Sequence, residues 1–246
     1  MSEHDVQLYD DDAHLASAVA DHLAAGLDAG EGALALATPE HRELFRAGLA
    51  ARGHDVEALE AEDRLVLADA EETVSAILGT AGTPSMTRFE QVVLPLLNRI
   101  SDDGGRPHLF GEMVDLLWRI GDRQGADALE HLWCQMDSRR DFALLCAYRV
   151  EDVFDRRLHL ELVPQLLRTH GNVRLAGDPL RLWQAFDQAL AGALGPGDAA
   201  RVYELAASRR DDVLAHHLAL TWLSAHMPRT AEQVLASARE RYAAVG

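Results

Sequence analysis

Five short apolar runs, each followed by a stretch patterned for helix, divide the first 150 residues. That alternation constrains the fold more than any other feature, because strand–helix repetition builds a parallel α/β sheet with helical crossovers. Residues 5–9 (DVQLY) alternate between polar and apolar, as a strand does. Residues 33–37 (ALALA) and 142–148 (FALLCAY) are apolar throughout, which suits strands buried on both faces, and residues 65–68 (LVLA) and 108–110 (HLF) are the third and fourth strands. Between them, Leu15, Val19, Leu23 and Leu27 recur at helical spacing within residues 13–29. Thr38 and Pro39 open the next helix, ending near Gly53. Residues 71–78, 86–101 (with Pro95 inside), 112–120 and 125–137 complete the helices of this part. The glycine- and proline-bearing residues 79–85 and 102–107 form its loops.

Beyond Val150 the pattern is helical only, over residues 158–169, 179–194, 198–208, 211–225 and 229–243. The last three suit a small antiparallel bundle. The expected organisation is an α/β domain over residues 1–155 and a helical module over residues 156–246, the latter serving dimerisation or partner docking.

No lysine occurs among the 246 residues. A P-loop needs a lysine to reach the β- and γ-phosphates of a nucleotide, and Schiff-base catalysis needs one as nucleophile. The net charge is −17, with 31 acidic residues against 14 arginines in residues 1–159 and 9 of each in residues 160–246. An acidic α/β surface repels nucleic-acid phosphates and anionic lipid. No run approaches the roughly 20 apolar residues of a membrane span, and the acidic start MSEHDVQLYDDDAH lacks a signal core, so a cytoplasmic location is expected. Cys134 and Cys146 make no disulfide framework. His14, His22, His54 and His131 show no paired ligand spacing, and His216 and His217 are adjacent. With no HExxH or CxxC, neither a metal nor another cofactor is expected. No Gly-x-Ser-x-Gly elbow is present.

In an open parallel sheet, ligands bind beyond the carboxyl ends of the strands. The residues expected there are Tyr9, Asp10, Asp11 and Asp12 after the first strand, Thr38 after the second and Asp69 after the third. Gly111 and Glu112 follow the fourth, and Tyr148 ends the fifth. This acidic and aromatic set disfavours a phosphate and suits a neutral or cationic small molecule. Equally, Asp10 to Asp12 and Thr38 suit helix capping, and Glu112 suits a helix start. Trp118, Trp133 and Met136 fall at helical spacing, which fits core packing or the apolar wall of a ligand pocket. The candidate ligand-binding residues are Tyr9, Asp10, Asp11, Thr38, Asp69, Glu112, Trp133 and Tyr148, with no catalytic residue assigned.

Several segments together carry a family resemblance: HDVQLY (residues 4–9), GLDAGEGALALATPEHRELFRAGLAARGHDV (26–56), RLVLADAEETV (64–74), FGEMVDLLW (110–118), ALEHLW (128–133) and FALLCAYRV (142–150). Over residues 4–150 the chain resembles the MEDS domain, the methanogen/methylotroph sensory domain of a dichloromethane-responsive repressor and of bacterial signalling proteins. That family is in turn similar to RecA-like ATPases of the circadian-clock type. Here YDDDAHLAS (residues 9–17) stands in the place of the P-loop, without its glycines or lysine. The resemblance implies a RecA-like fold that has lost nucleotide chemistry, binds a small organic ligand such as a hydrocarbon derivative, and relays binding to a regulatory output, including transcription. No helix-turn-helix or kinase segment is recognisable, and the tail lies outside the resemblance. The expectation is a non-enzymatic sensory protein that binds a small organic ligand or a signalling partner protein, with no direct nucleic-acid or membrane contact and a possible homodimer through its C-terminal helices. Two alternatives stand: a divergent ATPase using Arg42 or Arg106 in place of lysine, and an interaction adaptor whose cleft is vestigial.

Overall fold

The computed structural model describes residues 3–100, 105–174, 179–206 and 215–244. Six strands form one all-parallel sheet: β1 (Glu3–Tyr9), β2 (Ala33–Ala37), β3 (Leu65–Asp69), β4 (His108–Gly111), β5 (Ala143–Arg149) and β6 (Asn172–Arg174), in the spatial order β3-β2-β4-β5-β1-β6. The α/β expectation therefore holds, and the five strands read from the sequence fall within a residue or two of where they were placed. A sixth strand and the helix at Val56–Ala61 escaped that reading.

Register sorts the strand side chains onto two faces, because successive residues point to opposite sides. Tyr9, Ala33, Ala35, Ala37, Phe110, Leu145 and Ala147 share one face. They pack with Leu15, Val19 and Leu23 of α1 (Asp12–Asp28) and with Phe45 and Leu49 of α2 (Pro39–Ala51). Four alanines sit at these sheet positions, leaving room for the large residues of the helices. The approach of α1 to β4 is close enough that a Cβ on Gly26 would stand 2.8 Å from the His108 ring. The short α3 (Val56–Ala61) lies beside β3. The other face takes α4 (Ala70–Leu78), α5 (Met86–Ile100), α6 (Met113–Arg119) and α7 (Arg123–Asp137). Trp133 of α7 is buried there, edge-on to Phe89 at 4.9 Å and to Phe142 at 6.3 Å, and a Cβ on Gly111 would stand 4.0 Å from its ring. Pro95 lies within α5, and the helix continues through it.

The chain divides into two compact units, 1–149 with 169–174, and 150–168 with 175–246. This differs from the simple cut at residue 155, because the chain returns to the sheet after its first excursion. The strand that makes the return, β6, has three residues and an exposed–buried–exposed pattern, too short to register as a strand in the sequence. It pairs with the middle of β1, residues 5–7, and Asp5 holds it through Asn172 Nδ2 at 3.1 Å and Arg174 Nη2 at 2.9 Å.

The second unit is helical: a π-helical turn at Leu158–Leu162, α8 (Val163–Thr169), α9 (Pro179–Leu194), α10 (Pro196–Ala206), α11 (Ala215–His226) and α12 (Pro228–Ala243). The expected helix over residues 211–225 begins outside the described residues. Leu182, Phe186, Leu190, Val202, Leu223 and Val234 form its core, and Phe154 packs on Phe186 and Tyr242, each at 5.5 Å. Three buried histidines lie within it. His159 Nε2 meets the Val153 carbonyl at 2.9 Å, so in the neutral ring that nitrogen carries the proton and Nδ1 accepts. His217 Nδ1 then donates to His159 Nδ1 at 2.6 Å. Phe186 stacks on His216 at 5.1 Å, and neither His216 ring nitrogen has a hydrogen-bond partner among the described residues.

Candidate functional site

The chain leaves β2 for α2 on one face of the sheet and leaves β4 for α6 on the other. A parallel sheet opens a crevice between such strands at their carboxyl ends. Thr38 and Glu112 are the residues at its two lips. Glu112 is the N-cap of α6, yet its side chain makes no cap hydrogen bond. Its carboxylate instead crosses to the other lip. Oε1 accepts from the Thr38 backbone N–H, and Oε2 lies 2.5 Å from His41 Nδ1 on α2. Only 2% of Glu112 is exposed, so this contact fills the crevice from inside. Thr38 caps α2 by backbone alone, leaving its N–H for Glu112.

The far ring nitrogen of His41 lies 3.5 Å from Asp12 Oδ1, and the same oxygen accepts from Arg149 Nη1 at 2.8 Å. Burial by itself would depress the His41 imidazole. The Glu112 carboxylate and then Asp12 outweigh it and hold the pKa above the ordinary histidine value. Tyr9 lies edge-on to His41 at 5.8 Å, with the Arg149 guanidinium 5.8 Å from its ring centroid. Its buried hydroxyl has no hydrogen-bond partner among the described residues. Burial, then Asp115 and Glu112, push the phenol upward. Asp115, one turn into α6, accepts from the Arg149 backbone N–H at 3.1 Å, and burial raises its carboxyl to about 7.

The first turn after β1 has the opposite electrostatics to a phosphate cradle. Asp11 Oδ1 accepts from Ala13 N at 2.7 Å and His14 N at 3.0 Å, so the opening amides of α1 are already satisfied by a carboxylate. Asp10 is exposed beside it. Asp69 caps α4 through Glu71 N at 2.9 Å and Glu72 N at 3.0 Å, and its other oxygen accepts from Arg42 Nη2 at 2.9 Å. Arg42 is thus committed to Asp69. Arg106 lies at the opposite ends of the strands, 2.9 Å from Asp141 Oδ1 and 3.3 Å from the Phe142 carbonyl.

The structure brings Tyr9, Thr38 and Glu112 into one network, joined by His41, Asp12, Asp115 and Arg149. Tyr148 is not on that face. It pairs in register with Leu8, so its side chain lies across the sheet from Tyr9, edge-on to Trp118 at 6.1 Å. Trp133 is also on that second face, buried as core. His41 was missed, although its place in the first turn of the helix after Thr38-Pro39 was a usable signal. Asp115 and Arg149 were missed because nothing local marks them. A separate hollow of about 250 Å³ opens at the amino ends of β4 and β5, between Leu97, Pro107, Arg140 and Phe142.

The parallel sheet, the acidic turn in place of a glycine-rich one and the carboxylate clamp at the switch point together define a parallel α/β domain without a phosphate grip. The chain belongs to the MEDS family (methanogen/methylotroph, DcmR sensory domain), whose profile matches residues 3–171. The matched span runs through β5 and ends at Gly171, directly before β6. No curated protein and no solved structure matches the chain. No helix among the described residues is long and apolar enough to cross a membrane.

Proposed function

We propose that the sheet unit is a non-catalytic, intracellular sensor that takes a small neutral or cationic organic ligand at the strand ends, beside Tyr9, His41 and Glu112. The observation that carries this reading is the Glu112 clamp: a buried carboxylate joins the two lips of the crevice through Thr38 and His41. A ligand that binds better with the clamp rearranged shifts the population between two arrangements of β2 and β4, which is the physical content of sensing. The unpartnered Tyr9 hydroxyl supplies a donor for the ligand. Membership of a sensory-domain family supports the same role. The carboxylate of Asp11 on the amides of α1 argues against nucleotide, and the surplus of acidic residues argues against nucleic acid.

Calorimetry of the full chain with ATP and magnesium gives no binding heat on this reading, and native mass spectrometry of the freshly purified chain shows a bound organic molecule. Saturable ATP binding would instead support a divergent ATPase. An unliganded chain whose clamp does not respond to any hydrophobic amine or alcohol would support the second reading, a pure interaction module. That reading draws on the fact that Glu112 is satisfied by the chain's own groups.

The helical unit would pass the signal to a second copy or to an output protein. Leu180 and Trp183 of α9 are 62% and 44% exposed, an apolar pair suited to such a contact. Light scattering of the full chain is expected to give a dimer, and Trp183→Ala to shift it toward monomer. A monomer at every concentration tested would remove the dimerisation role.

A further inference from the structure

On the sheet face away from the Glu112 clamp, donor side chains from four separate elements converge. They are His4 on β1, Cys146 on β5, Glu130 on α7 and His170 in the segment leading into β6. His4 Nε2 lies 3.3 Å from Cys146 Sγ and 3.8 Å from Glu130 Oε1, and His170 Nε2 lies 3.1 Å from the same oxygen. The His4 and His170 rings are 4.2 Å apart. The ligand atoms of His4, Cys146 and His170 lie within 4.8 Å of one another, as do those of His4, Glu130 and Cys134. The His4, Glu130 and His170 side chains are 3%, 4% and 0% exposed, and Cys146 is buried.

We propose that His4, Cys146, His170 and Glu130 form a tetrahedral site for a divalent transition metal of the zinc class. Zinc–ligand distances of about 2.0–2.3 Å place neighbouring donors of a tetrahedron about 3.4–3.6 Å apart. The three measured separations straddle that range, and His170 lies within 4.8 Å of His4 and Cys146, so side-chain shifts that draw Glu130 and Cys146 together bring the donors onto one ion. The donor set of two imidazoles, a thiol and a carboxylate is what such an ion takes and what magnesium or calcium does not. His170 also has the outer partner that a ligating histidine needs. Its Nδ1 stands 2.9 Å from Thr169 Oγ1, which turns Nε2 toward Glu130.

Charge favours the same assignment. Among the described residues no hydrogen bond of regular geometry reaches either Glu130 oxygen, although the Tyr148 and Thr169 hydroxyls lie nearby. A dication bound by one carboxylate and one thiolate forms a neutral cluster, which a buried site tolerates far better than an isolated anion. On binding, Cys146 loses its thiol proton to solvent and the metal–sulfur bond forms. The metal would fasten the segment Thr169–Arg174, and with it β6, to the central strands. Ligand spacing in the sequence could not reveal this, since the four residues span positions 4 to 170.

The full chain is purified with zinc present, dialysed against a weak chelator and assayed for metal. A chelator-stripped sample is then titrated with Co²⁺. One zinc per chain is expected, with intense visible bands and a near-ultraviolet thiolate-to-cobalt band on titration. Cys146→Ser abolishes the thiolate band, and His170→Ala weakens cobalt binding at least about tenfold. Cys134→Ser retains both signals. Circular dichroism checks that each variant folds, and the wild-type cobalt spectrum decides the matter even if one does not. Metal well below one equivalent with no thiolate band overturns the proposal and leaves a His170–Glu130 ion pair in its place. Loss of the band in Cys134→Ser with retention in Cys146→Ser overturns the ligand assignment.

Discussion

Lowering the pH from 6.5 to 4 destabilises the helical unit by several kcal/mol. Burial holds the His159 imidazole down to about 4 and His216 to about 3, and depresses His217 further, with the neighbouring imidazoles adding to the effect on His216 and His217. All three are neutral in the folded unit, whereas an unfolded chain protonates them near 6.5. The unfolded state therefore binds more protons over this window. The stability these rings contribute is fully present above pH 6.5 and is lost as the pH falls toward 4. A shift of this size corresponds to roughly 3 kcal/mol for His159 alone at low pH. The His159–His217 hydrogen bond also fails once both Nδ1 atoms carry protons. Hydrogen exchange followed on peptides from α9, α11 and α12 reads the effect locally. That locality matters because protonating the acidic sheet unit relieves its charge repulsion and changes global melting in the opposite sense. Exchange in those peptides that stays flat from pH 7 to 4 would show that the histidines are not what couples this unit to pH. A His217→Leu variant is expected to shrink the slope.

Replacing Glu112 by alanine is expected to cost about 3 kcal/mol in urea melts of the full chain. The substitution removes the acceptor of the Thr38 N–H and the partner of His41, both inside the crevice. Removing one member of a buried, hydrogen-bonded pair leaves the other desolvated without compensation. Glu112→Gln restores an acceptor for Thr38 but not the charge opposite His41, so it should lose about half as much. The His41 pKa, followed by NMR, should fall in both variants, because Glu112 is its main stabilising partner. In the wild type that raised pKa contributes stability at pH values below 6.5, which is lost as the pH rises through the folded pKa. A Glu112→Ala chain with an unchanged midpoint would mean that the carboxylate does not hold β2 to β4.

Much of the sheet was legible because its signals are local. ALALA at positions 33–37 is buried on both sides, and a run of five apolar residues ending at Thr38-Pro39 has few other places to go. The helix starts after Asp10 to Asp12 and at Thr38-Pro39 follow from residue types within a few positions, an aspartate that caps α1 and a proline that opens α2. β6 was not legible, since a three-residue edge strand is defined by Asp5 and β1 rather than by its own sequence.

The site divides in the same way. Chain order alone placed Tyr9, Thr38 and Glu112 at strand ends. Which face each would occupy depended on register: Leu8, not Tyr9, pairs with Tyr148, and that one-residue phase sends the two tyrosines to opposite sides. Sequence by itself determined the layered α/β architecture, the missing phosphate grip and the acidic character of the strand ends, because each rests on residue type and short-range spacing. Only tertiary structure decided that Glu112 reaches across to His41 and Thr38, and that His4, Glu130, Cys146 and His170 meet. Those contacts join positions 40 to 166 residues apart, and such distances are closed by strand pairing and helix packing rather than by any local preference.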